Sequence, residues 1–136
     1  MKMNNIQLHI YNETGSTLME NPSWDQVKKV MKQVDGINID LIGLKVVGKG
    51  ELTLMGGNEI KGLRLYAVQY SSENNSIHLV VENMRVKNID KYEYISCQQT
   101  GIDFPRRLLV PLNTAIIAFE EFYNSGNLTD KLKWVD

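Results

Sequence analysis

The chain offers little for side-chain chemistry: one cysteine, Cys97, and two histidines, His9 and His78, in 136 residues. A lone cysteine excludes an internal disulfide and fits a reducing compartment. The histidines fall on separate stretches with no i, i+4 pairing, which leaves a catalytic zinc short of the three protein ligands it usually needs. Nucleophilic catalysis would require Ser or Cys, a His and an orienting carboxylate to converge. Cys97 sits in an alternating apolar context, where cysteine is commonly buried. The phosphate-loop pattern G-x-x-x-x-G-K-S/T is absent. Gly48/Gly50 and Gly56/Gly57 lie between strand-like stretches, so they read as hairpin residues and not as an anion cradle at a helix N-terminus. Glu120 and Glu121 are adjacent on a helical stretch, diverge by about 100°, and do not form a carboxylate pair. No catalytic residue, metal or cofactor is expected.

Charge of one sign is also lacking. Fifteen basic and 16 acidic residues give a net charge of −1. Nucleic-acid binders usually carry a basic stripe, whereas Lys28/Lys29/Lys32 and Arg106/Arg107 are small clusters, the first on the solvated side of an amphipathic helix. Nucleic acid is not an expected partner. No run approaches the roughly 18 apolar residues of a membrane helix. The opening MKMNNIQLHIYNET has no signal-peptide pattern, so a cytoplasmic protein without a membrane partner is expected. At this length the chain suits one domain, 1–136, with an ordinary core.

What is present is periodicity. Ile6, Leu8 and Ile10 alternate with Gln7, His9 and Tyr11, a half-buried strand, and Asn12 to Ser16 reads as a turn. A helix over about 23–35 follows. Ser23 and Gln26 make a capping box, Asp25 suits the first turn, and Trp24, Val27, Val30, Met31 and Val34 form an apolar stripe. Gly36 is its expected stop. Ile42, Leu44 and Val46, then Leu52 and Leu54, read as strands joined through Gly48-Lys49-Gly50, and Gly56-Gly57-Asn58 reads as the next turn. Leu63 to Tyr70 is apolar on both faces, as in a central strand covered on both sides. Ile77, Leu79 and Val81 follow the polar turn Ser71 to Ser76. Short connections favour an antiparallel meander. The expected fold class is α+β, a meander packed against an N-terminal and a C-terminal helix.

Met84 to Pro105 is less regular, with a strand in which Tyr92, Tyr94 and Ser96 alternate with Glu93, Ile95 and Cys97. This region is the candidate recognition surface: Glu82, Asp90, Tyr92, Glu93, Tyr94 and Asp103 combine aromatic area with carboxylates that steer a basic partner. The bland alternative is tyrosines half-buried on a sheet and carboxylates that only solvate it.

The last segment is PLNTAIIAFEEFYNSGNLTDKLKW. It reads as a helix over about 113–125, with Asn113 as N-cap, a buried stripe of Ala115, Ile116, Phe119, Phe122 and Tyr123, a stop at Gly126, and Trp134 returning to the sheet. The series Val110-Pro111, Ala115, Ala118, Phe119, Phe122, Gly126 and Trp134 resembles the C-terminal signature of the Imm1-type immunity proteins of bacterial polymorphic toxin and contact-dependent growth inhibition systems. The helix from Pro22 to Val34, the glycines Gly56-Gly57 and the proline at Phe104-Pro105 are similar too. The resemblance implies a protein without catalytic residues that binds a cognate toxin domain, commonly a nuclease or deaminase, and blocks its active site or an exosite. From the residues alone, a small adaptor domain or a hydrolase using His9 or His78 remain the alternatives.

Overall fold

The computed structural model describes residues 5–86, 91–98 and 100–136. In chain order the elements are β1 (Ile6–Asn12), β2 (Gly15–Glu20), α1 (Trp24–Met31), β3 (Ile39–Val46), β4 (Gly50–Ile60), β5 (Leu63–Ser72), β6 (His78–Glu82), β7 (Tyr92–Cys97), β8 (Thr100–Pro105), a 3-10 turn (Arg106–Leu108), α2 (Leu112–Ser125) and β9 (Lys133–Val135). Seven strands form an antiparallel sheet in the order β2-β1-β3-β4-β5-β6-β9, and β7 pairs with β8 as a separate hairpin. The class is α+β, and β3 to β6 form the expected meander.

Alternation along the strands sorts residues onto two faces. On one face Leu8, Ile42, Leu44, Leu52, Leu54, Tyr66 and Val68 are buried against Val27, Met31, Phe119 and Phe122 of the helices. On the other, Met55, Leu65 and Ala67 meet Ile95 of β7 and Leu109, with Ile102 and Phe104 of β8 packed alongside. β5 is therefore covered on both sides, as its two apolar faces require. Trp134 joins the sheet as part of β9 beside Val81, and its indole N–H donates to the Thr129 carbonyl at 3.0 Å.

Several expected boundaries move. The stretch expected as a turn from Asn12 to Ser16 holds only its tip there, because β2 begins at Gly15 and pairs with β1. Asn12 makes the tight turn, its side-chain oxygen accepting the Thr14 N–H at 3.0 Å. The capping box of α1 is present, but the helix ends at Met31 with Lys32 as C-cap and does not run to about 35. Gly36 is not its stop. Gln33 and Val34 donate to Val30 and Met31 in tighter three-residue bonds. Asp35 then turns the chain: its carboxylate accepts N–H groups of Ile37 at 2.9 Å and Asn38 at 2.8 Å. Gly56-Gly57-Asn58 is no hairpin tip either. β4 passes through it as a bulge, with both glycines at positive φ (97° and 84°), and the chain reverses at Lys61-Gly62. Asn113 is not the N-cap of α2. Val110 is held in a bridge to Tyr66, so Pro111 becomes the junction and its carbonyl accepts the Ala115 N–H at 3.2 Å.

The Asp35 turn makes a pH prediction. Partial burial pushes its carboxyl up, but the N–H groups of Ile37, Asn38 and Ile39 outweigh this and hold it below its ordinary range. A carboxylate depressed in the folded state contributes stability that is present above the unfolded pKa and lost as pH falls through the folded one. The urea midpoint of the wild-type protein should therefore exceed that of Asp35→Asn at neutral pH, and the difference should shrink below about pH 4. A difference that stayed constant down to acid pH would remove Asp35 as the responsible group.

Candidate protein-binding face

The β7–β8 hairpin stands on the sheet with an inner and an outer side. Ile95, fully buried, and its cross-strand partner Ile102 face the sheet. Tyr92 and Tyr94 face outward and are 59% and 67% exposed. Asp103, directly opposite Tyr94 and also exposed, completes this side. Tyr94 lies across Gly101, where any side chain would collide with its ring. The glycine lets the phenol lie flat on the neighbouring strand, so a large side chain is displayed with little freedom left to lose.

The bulge in β4 holds the hairpin in place. Asn58 donates from its amide to the Ser96 hydroxyl at 3.2 Å, and its carbonyl oxygen accepts the Ser96 N–H at 2.9 Å. At the other end the Arg106 N–H donates to the Lys91 carbonyl at 2.8 Å. The stretch that reads as a turn in the sequence is thus the clamp that positions the exposed tyrosines. Nothing local marks Asn58 for this role, because its partner lies in another element.

The expected acidic residues do not all join this face. Glu93 is turned to the inner side, with its carboxylate 3.6 Å from the Lys91 ammonium. Glu82 lies on β6, away from the tyrosines in topology, where Lys133 approaches to 2.9 Å and Arg107 to 3.5 Å. The hydrogen bond from Lys133 and the two neighbouring cations lower its pKa from the ordinary range. Asp90 lies outside the described residues. Tyr92, Tyr94 and Asp103 are therefore the members brought together. The base of the hairpin is cationic: Lys91, as hydrogen-bond partner and like charge, lowers the Lys61 pKa, and Arg106 acts on it in the same direction.

His9 and His78 lie on β1 and β6, separated by β3, β4 and β5. Four strand spacings amount to roughly 19 Å, too far for a shared ligand. Both ring nitrogens of His78 have partners, the Ser71 hydroxyl at 3.1 Å and the Asn75 carbonyl at 3.0 Å. Burial, and then the charge of Asp40, push the Cys97 thiol up, the opposite of an activated nucleophile. Among the described residues no group of three His, Cys, Asp or Glu side chains is placed to hold a metal ion. No helix among them is long and apolar enough to cross a membrane. No protein-family model matches the chain, and no curated protein matches it.

Proposed function

We propose that this is a non-catalytic binding protein of the bacterial cytoplasm that neutralises a cognate toxin domain, a nuclease or deaminase, by covering its active site or an exosite. The observation that carries the reading is the pair of exposed tyrosines on a hairpin clamped at Asn58 and seated on its own apolar cluster. Tyrosines held this way give large contact area at small entropic cost, and interface hot spots are enriched in them. The resemblance of the Val110 to Trp134 series to immunity proteins supplies the kind of partner. With Glu82 and Glu93 held in ion pairs, aromatic contact carries more of the binding than acidic steering, and Asp103 supplies the steering charge beside the tyrosines.

The test is co-expression of a tagged copy with the toxin encoded by the neighbouring gene. The toxin should co-purify stoichiometrically and growth should be rescued; death of the cells despite soluble protein would refute the reading. Tyr92→Ala and Tyr94→Ala should each weaken the complex by about 2 kcal/mol, or roughly 30-fold, with the folding midpoint unchanged because both rings are exposed. Asp103→Lys should mainly slow association and alter its salt dependence. If all three variants bind as the wild type does, the contact face is elsewhere on the molecule.

A further inference from the structure

A groove of about 650 Å³ lies beside the 3-10 turn, between the start of α2, the loop after β6 and the approach to β9. It is open to solvent, and apolar and polar side chains share its lining. Leu63 of β5, Met84 of the loop after β6 and Ile117 of α2 are 49%, 69% and 42% exposed, and all three line it. Isolated exposed apolar residues are ordinary, but several gathered along one groove mark an interaction surface.

The charge along it is mainly positive. Among the described residues, Arg85, Arg106, Lys131 and Lys133 line the groove against a single carboxylate, Glu82. That carboxylate is already held by Lys133 and Arg107. None of Arg85, Arg106 and Lys131 forms an ion pair among the described residues. The first turn of α2, which contains no acidic residue, also faces this space and adds positive potential.

We infer that this groove docks an acidic polypeptide segment of a partner protein, one that lays large apolar side chains against Leu63, Met84 and Ile117 and sets carboxylates against Arg85, Arg106 and Lys131. The charge complementarity is specific in sign: a basic segment would meet uncompensated cations along the rim, and a polar one would leave the apolar wall wet. An extended segment suits the geometry because the groove is open and its cations come from three stretches of chain. The site is separate from the outer face of the β7–β8 hairpin and does not depend on the identity of a toxin.

The test is selection of a displayed library of random twelve-residue peptides on the full-length protein, followed by affinity measurement on two variants. One is Arg85→Glu with Lys131→Glu, both exposed side chains without ion-pair partners among the described residues; the other is Ile117→Asp. Thermal unfolding establishes that each variant is folded. The expected clones carry net negative charge and bulky apolar residues, lose affinity with added salt, and bind at least about tenfold more weakly to both variants. Clones that bind wild type and variants equally, variant-sensitive clones that are neutral or basic, or a selection that yields no clones would each overturn the inference.

Discussion

Replacing Phe122 with Ala is expected to cost about 3–5 kcal/mol, the range typical of Phe→Ala in a well-packed core. The ring is fully buried on the inner side of α2, and it meets Tyr70 of β5 edge-on with ring centroids 6.0 Å apart. Truncation removes the transfer free energy of the ring and leaves a cavity that two rigid elements cannot close. The sheet beneath is held by cross-strand hydrogen bonds, and α2 is anchored at both ends. Pro111 joins it to the bridge at Val110, and Gly126 ends it at φ 76° with its N–H on the Phe122 carbonyl at 2.8 Å. Urea unfolding followed by fluorescence gives the measurement. A loss below about 1 kcal/mol would mean that the helix presents a different face to the sheet.

Gly57→Ala is expected to cost about 2–5 kcal/mol, the sum of a left-handed backbone penalty of roughly 1–2 and overpacking of roughly 1–3. Gly57 adopts φ 84°, and a methyl group there would run into the Val34 carbonyl and come within 3.0 Å of the Tyr66 ring. Neither neighbour can retreat cheaply. Val34 and Tyr66 are both buried, and the Tyr66 hydroxyl donates to the Val34 carbonyl at 3.3 Å. The Gly57 carbonyl also accepts from Arg64 at 2.9 Å, so rotation of the peptide would break that bond. Because Asn58 is the next residue, the substitution should also loosen the hairpin clamp. Faster amide exchange at Ser96 than in the wild type, under conditions where the protein stays folded, is the local signature; unchanged exchange there would show that the bulge and the hairpin are independent.

Much of the scaffold is legible in residue order. The capping box at Ser23 and Gln26 forms as its spacing indicates, the apolar residues of β3 and the first half of β4 follow period-two alternation toward one core, and β5 is apolar on both faces because both are covered. Ala115, Phe119 and Phe122 are buried on α2 while Glu120, Glu121 and Asn124 are exposed, as helical spacing requires. The elements missed share one cause. β2 is an edge strand largely exposed on both faces, and in β8 only Ile102 and Phe104 alternate about Asp103, too short a run to mark a strand by its period. The candidate face was readable in part: Tyr92 and Tyr94 lie on the strand that alternation indicates, on its outer side. The ion pairs that hold Glu82 and Glu93 were not readable as such. Glu82 is paired because β9 lies beside β6 and brings Lys133 opposite it, and because Arg107 of the 3-10 turn reaches it as well.

The sequence by itself determined which residues form helices and buried strands, because amphipathic period and caps act within a few residues. It also determined the absence of the histidine and cysteine spacings from which metal and nucleophilic sites are read. Tertiary structure decided the rest. It made Gly56-Gly57-Asn58 a bulge and clamp instead of a turn, set Tyr92, Tyr94 and Asp103 on one open face, and gathered Arg85, Arg106 and Lys131 around an apolar groove. Those outcomes depend on contacts between elements far apart in the chain, and no local pattern encodes which strand will lie beside which.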